Sequence, residues 1–204
     1  MKSIIFFYFF LSSSICLAQT LHTILVADTY DNDIGESCLA DFHNLNVQAS
    51  LMAKSCNYNH KLYRIKAGDF CKETVLNSLN GLKASPEDVV LFYYAGHGID
   101  DQNSKWPKLV LENGPQKTEQ GLIEALPLTK IESIIVSKGF RFSMLITDCC
   151  NDVENSEYMI SRGFKEVSKD ASKVKSIADI DFFYQGLFKN QQGILLVSSS
   201  SQKE

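Results

Sequence analysis

The chain has 204 residues, of which 45% are apolar, 22% charged and 11% aromatic, and its formal charge is −4. Such a length and composition suit one globular core and exclude collagen-like, coiled-coil and disordered chains. No Lys/Arg cluster offers the basic footprint of a nucleic-acid binder, and six cysteines are too few for a disulfide scaffold.

Lys2 precedes the apolar run Ile4–Leu11, a Ser-rich stretch and Ile15-Cys16-Leu17-Ala18. A positive start, a short apolar segment and a small residue at the break predict a signal peptide over residues 1–18. The run falls short of the ~18 apolar residues of a membrane span. Residues 19–204 are then a single domain, secreted or periplasmic, with no membrane contact after the leader is removed. The residues before Cys16 make a poor lipidation box.

The mature part alternates short apolar runs with helical periodicity. Thr23–Ala27 predicts a buried strand ending in Asp28, Asp31 and Asp33. A helix is expected over about 36–55, then a strand around Leu62–Ile65, then a helix carrying Val75, Leu76, Leu79 and Leu82 that stops before Ser85-Pro86. Asp88–Tyr94 is the clearest strand and runs into Gly96-His97-Gly98. Leu109–Leu111 reads as a hairpin arm beside the turn residues Asn113-Gly114, with Trp106-Pro107 packing the hairpin. Thr129 is expected to cap a helix containing Ile131, Ile134, Ile135 and Val136, with Gly139 at its C-terminal end. Phe142–Thr147 predicts a strand ending in Asp148-Cys149-Cys150, and 193–198 another; the polar stretch 151–190 shows little periodicity.

Strands separated by helices predict an α/β fold, a three-layer αβα sandwich around a mostly parallel sheet. Chemistry in such folds gathers beyond the carboxyl ends of the strands. Three polar groups end strands here: Asp28–Asp33, Gly96-His97-Gly98 and Asp148-Cys149-Cys150. Their convergence on one sheet edge is the main expectation.

A histidine and a cysteine at neighbouring strand ends have the chemistry of a thiol nucleophile and its base. The glycines beside His97 permit backbone geometries that other residues resist, and Gly98 gives a substrate carbonyl close approach. Adjacent cysteines on a strand point to opposite faces, so one of Cys149 and Cys150 faces the cleft and the other packs inside. The residues alone leave that choice open.

Asp88–Gly98 together with Leu145-Ile146-Thr147-Asp148-Cys149-Cys150-Asn151 resembles the caspase-fold peptidases (peptidase C14), nearer metacaspases than true caspases. His97 and Cys150 are 53 positions apart, close to the ~50 of caspase-type sites. The resemblance implies a cysteine endopeptidase with Cys150 as nucleophile and His97 as base and then acid. It implies an oxyanion hole from the backbone N–H groups of Gly98 and Cys150. Cys38-Leu39-Ala40-Asp41 resembles a further segment of the family, which implies that Asp41 and Asp148 select Arg or Lys in the S1 pocket, as a desolvated cation requires. A peptide or protein is the substrate, and no cofactor is called for.

Three departures qualify the match. Asn151-Asp152-Val153 replaces the family's usual His-Ser-Gly after the nucleophile. No calcium or other metal site is expected: Glu112, Glu119, Glu124 and Glu132 read as solvated acids, and the remaining histidines are dispersed. The family fold continues beyond Ser198, so a C-terminal truncation is expected, leaving the apolar strand 193–198 at a sheet edge for a partner or second copy to cover. The alternative to an active enzyme is therefore a caspase-like binding module, inactive or dependent on that partner. A thiol hydrolase of another kind is the weaker rival. Lys165, Lys169, Lys173 and Lys175 are candidate self-cleavage sites, and no obligatory disulfide is expected, since Cys38 and Cys56 are ~27 Å apart along one helix.

Overall fold

The computed structural model describes residues 19–150 and 177–200. The signal peptide, Asn151–Val153 and the four candidate self-cleavage lysines lie outside the described residues.

Among the described residues, eight strands and five α-helices follow one another as β1 (Thr20–Ala27), α1 (Gly35–Cys56), β2 (Asn59–Lys66), α2 (Lys72–Asn80), β3 (Val89–Ala95), β4 (Gly98–Asp101), β5 (Ser104–Leu109), α3 (Glu119–Ile123), β6 (Leu126–Pro127), α4 (Leu128–Ser137), β7 (Phe142–Asp148), α5 (Ile177–Asn190) and β8 (Gly193–Ser198). Five strands form one sheet in the order β2-β1-β3-β7-β8, every neighbouring pair parallel. This is an α/β sandwich with a central parallel sheet flanked by helices, as the alternation of apolar runs predicts. Every residue of β1 and of β3 is buried, because both faces of these strands are covered by helices.

Alternation assigns the faces. Ile24, Val26, Val90, Phe92, Tyr94 and Leu145 pack with Val75 and Leu79 of α2 and Ile131 and Ile135 of α4. On the other face, Leu21, Val89, Leu91 and Phe142 meet Ala49 and Ala53 of α1 and Phe188 of α5. Each such side chain taken fully out of water contributes ~1.5–3 kcal/mol before conformational entropy is charged. β1 is followed by a crossover to β2 on one side, β3 by one to β7 on the other. The gap between β1 and β3 is thus the switch point of the sheet, where an open crevice forms beyond the strand ends.

Three local expectations are corrected. The hairpin is β4–β5, turning at Gln102-Asn103, and β6 joins it in a separate antiparallel sheet. Val110 and Leu111 lie past the end of β5, so Asn113-Gly114 is not its turn; Trp106, within β5, packs against the main core. The turn escapes a search for glycine because Asp101 Oδ1 accepts the Asn103 N–H and closes it. Thr129 does not cap α4: the helix starts one residue earlier, after Pro127, and no side chain caps it. Gly139 does end that segment in a left-handed conformation, φ 74°.

Within the stretch read as aperiodic, α5 buries Phe188 and part-buries Tyr184 and Leu187 against α1. Its pattern is obscured because Phe182 and Phe183, apolar like the packed residues, stand exposed. β8 is the edge strand among the described residues, with Ile194, Leu195 and Val197 each more than a third exposed.

Candidate active site

The three polar strand ends meet. Asp28 N–H donates to the Ala95 carbonyl (3.0 Å) and Gly96 N–H to the Asp148 carbonyl (3.2 Å), tying the tips of β1, β3 and β7 together. In the β3–β7 register Ala95 lies opposite Asp148. His97 and Cys150 each stand two residues beyond that pair, at neighbouring strand tips.

His97 is fixed from two sides. Its carbonyl accepts from the Tyr94 hydroxyl (2.6 Å) and the Val110 N–H (3.0 Å). Its ring, 14% exposed, brings Nε2 to 3.0 Å from Asp31 Oδ2. Asp31 belongs to the loop between β1 and α1, where its Oδ1 accepts the N–H groups of Asp33 (2.9 Å) and Ile34 (3.2 Å). Burial pushes the Asp31 carboxyl up, but those two N–H groups and His97 more than reverse it, leaving it below the ordinary carboxylate value.

Behind Asp31 lies a buried cation. Lys117, its side chain 3% exposed, places Nζ 2.7 Å from Asp28 Oδ2 and 3.8 Å from Asp31 Oδ2. It also donates to the carbonyls of Glu112 (2.8 Å) and Gly114 (3.2 Å). Burial raises the Asp28 carboxyl, and Lys117 opposes that rise. Glu112, expected to be a solvated acid, instead shapes the loop that delivers Lys117: its carboxylate accepts from the Thr118 N–H (2.7 Å) and hydroxyl (2.6 Å). Asp28, Asp31 and His97 each bring a ligand atom within 4.8 Å of the others, the spacing of a cation site. The positive charge beside them is the Lys117 ammonium. Asp100-Asp101, an adjacent acidic pair passed over in the sequence, closes β4, and Asp101 serves the hairpin turn and lies 4.0 Å from Lys108 Nζ.

The two cysteines have opposite environments. Cys149 continues the face of Leu145 and packs in the main core, where burial pushes its thiol up to about 12. Cys150 is exposed. The backbone before it is held from the end of β8: Ser199 Oγ accepts the Cys149 N–H (3.2 Å), and Ser200 Oγ donates to the Cys149 carbonyl (2.7 Å). No disulfide joins the described cysteines.

The glycines flanking His97 do not take the left-handed backbone geometry that only glycine adopts easily. Neither has a positive φ; what they supply is room. A Cβ on Gly98 would stand 2.3 Å from the Cys150 carbonyl oxygen and 2.6 Å from Cys149 Sγ. The backbone beside His97 therefore runs directly against the cysteine loop.

Asp148 falls on the sheet face that carries Met144 and Ile146, towards α1. Its charge, after burial, raises the Asp41 carboxyl. Both acids act on the Cys38 thiol, which burial pushes up to about 12. Asp41 and Asp148 thus form a second acidic pair, on the other face of the sheet from Asp28. Sequence reasoning missed Lys117 altogether. It noted Asp31 only as one of several acids at a strand exit, and position at the end of a buried strand was the available signal.

No curated protein matches this chain. Among solved structures, the crystal structure of a Geobacter sulfurreducens protein aligns at 15% identity with a TM-score of 0.47, covering 88% of this chain and 72% of that one. The caspase domain of peptidase C14 matches residues 36–203, which takes in the His97 and Cys150 strand ends and both acids of the second pair. The chain belongs to that caspase-domain family, and cysteine peptidase is its general class.

Proposed function

We propose that the protein is an exported endopeptidase in which Cys150 is the nucleophile, His97 the general base and acid, and Arg or Lys the residue before the cut. The observation that carries this reading is the contrast between exposed Cys150 and buried Cys149 at a strand tip next to that of His97. A thiol kept neutral by burial is a poor nucleophile.

The reaction proceeds by acyl transfer. His97 takes the Cys150 proton, and the sulfur attacks the scissile carbonyl. The developing oxyanion faces the backbone N–H groups of Gly98 and Cys150. His97 then gives its proton to the leaving amine, and the C–N bond breaks to leave a thioester. Water, deprotonated by His97, hydrolyses the thioester and releases the acid. Asp41, whose ionisation burial and then the Asp148 charge disfavour, and Asp148 become partners of a guanidinium or ammonium when a basic side chain enters. Export rests on the apolar leader over residues 1–18.

A fluorogenic Arg- or Lys-P1 peptide tests this. Wild type should turn over, Cys150→Ala should not, and Asp148→Asn should lose the basic preference. Equal turnover by wild type and Cys150→Ala would exclude the mechanism. The exposed apolar edge of β8 favours the second reading, a partner-dependent binding module, and intact folding without turnover under any condition would select it.

A further inference from the structure

Asp31 divides its two oxygens between two tasks. Oδ1 closes the turn that leads into α1, while Oδ2 faces His97 Nε2 and nothing in the loop. The loop itself is anchored at both ends of this residue, because Gly35 N–H donates to the Asp31 carbonyl and Asn32 N–H to the Pro115 carbonyl, each at 3.0 Å. The carboxylate therefore meets the imidazole from a fixed frame.

We propose that Asp31 is the positioning residue of His97, completing a Cys150–His97–Asp31 relay, with the buried Lys117 ammonium as counter-charge behind the Asp28–Asp31 pair. The proposal rests on the Cys150–His97 reading and deepens it.

The chemistry follows from which nitrogen is engaged. An ionised carboxylate at Nε2 accepts a hydrogen bond there and cannot donate one, so the neutral ring carries its hydrogen on Nε2 and its lone pair on Nδ1. Nδ1 is then the nitrogen that receives the Cys150 proton, and the same carboxylate stabilises the imidazolium that results. Lys117 acts one step back. Its Nζ donates to the Glu112 and Gly114 carbonyls, pairs with Asp28 Oδ2 at 2.7 Å, and reaches Asp31 Oδ2 by charge alone at 3.8 Å. Without it, Asp28 and Asp31 would be two buried like charges that cannot both ionise cheaply. The charged groups beside the ring are thus Asp31 and, behind it, Asp28 and Lys117, while the Cys149–Cys150 loop packs against Gly98, the next residue along the backbone.

Asp31→Asn is the informative variant. Its Oδ1 keeps the bonds to Asp33 and Ile34, while its amide NH₂ replaces Oδ2 and donates to Nε2, placing the ring hydrogen on the wrong nitrogen. Turnover should fall ~10²–10⁴-fold with KM little changed. Lys117→Met should lower turnover less, and move the acid limb of the pH–rate profile upward.

A readout independent of peptide cleavage separates this proposal from the dyad itself. Alkylation of Cys150 by iodoacetamide, located by mass spectrometry on the folded full chain, is followed against pH in wild type, His97→Ala and Asp31→Asn. Profiles of both variants displaced to higher pH support the relay. Displacement in His97→Ala but not in Asp31→Asn overturns the role of Asp31 and leaves the dyad standing. Displacement in neither removes the dyad and the relay together. Should Asp31→Asn not fold, Asp31→Ser keeps a short acceptor for the turn and is judged by the same outcomes.

Discussion

The same two strands carry a histidine–aspartate pair at each end. Beyond the carboxyl ends of β1 and β3, Asp31 meets His97 at 3.0 Å. At the amino ends the roles are exchanged: His22 on β1 stands 3.4 Å from Asp88, which precedes β3. The chemistry of the pairs is alike, but their surroundings are not. The His22 ring is wholly buried, stacked on Tyr63 and met edge-on by Phe140. Neither of its nitrogens has an aligned hydrogen-bond partner. Asp88 gives its oxygens to the Thr20 and Ser85 N–H groups instead. His97 keeps an exposed edge, an aligned carboxylate and a cysteine loop alongside. What separates the proposed reactive pair from the pair in the core is position: it lies at the carboxyl edge of a parallel sheet, where ligand crevices form.

The largest expected effect breaks the pairs apart by function. His97→Phe should lower turnover of a basic-P1 peptide ~10³-fold or more with little change in unfolding free energy. His22→Ala should leave turnover within about twofold and cost ~2 kcal/mol through the cavity it opens; urea titration and initial rates measure both.

Gly98→Ala comes next. The new methyl would collide with the Cys150 carbonyl and Cys149 Sγ, so the two tips must separate. A displacement of about an ångström at a reacting centre costs ~10²-fold in rate, and the forced repacking ~1–3 kcal/mol. A Gly98→Ala protein with wild-type turnover would show that the two loops need no close approach.

Ser200→Ala probes the tether on the nucleophile side. It removes a hydrogen bond to the Cys149 carbonyl worth ~1 kcal/mol, which as lost transition-state alignment is about fivefold in kcat. The fall should appear in kcat with KM unchanged.

The smallest effect is in pH dependence at the amino edge. Burial, the largest influence, lowers His22 below its usual 6.5, against the pull of Asp88. Its unfolded form therefore binds a proton first. The stability that depends on a neutral His22 is fully present above pH 6.5 and is lost as pH falls through the folded value. His60, also lowered by burial and then by Arg64, acts with the same sign. The His22 share is the difference between wild type and His22→Phe in unfolding free energy from pH 7.5 to 5. Identical slopes would mean that His22 binds protons equally in the folded and unfolded states, so that burial shifts nothing.

The strands that build the site were legible because a parallel strand covered on both faces is rich in consecutive apolar residues: all of β3, and Ile24–Ala27 and Met144–Ile146 within β1 and β7. The β4–β5–β6 sheet was not, since it is short and turns on Asp101 rather than on a glycine. α5 was hidden by Phe182 and Phe183, whose exposure contradicts the usual link between apolarity and burial. At the site, His97 and the cysteine pair were visible from their places at strand ends. Lys117 was not, because a single lysine in a loop has no sequence pattern and is 89 positions from Asp28, the carboxylate it contacts.

The sequence by itself determined the central parallel sheet, the edge at which polar residues collect and the family to which those residues belong, since each is written in local periodicity and short motifs. The tertiary structure alone decided which cysteine is buried, that Asp31 rather than another acid of its loop faces His97, and that Lys117 lies behind it. Those facts depend on which faces touch and on distances between residues far apart in the chain, and burial and charge proximity act through space rather than along the backbone.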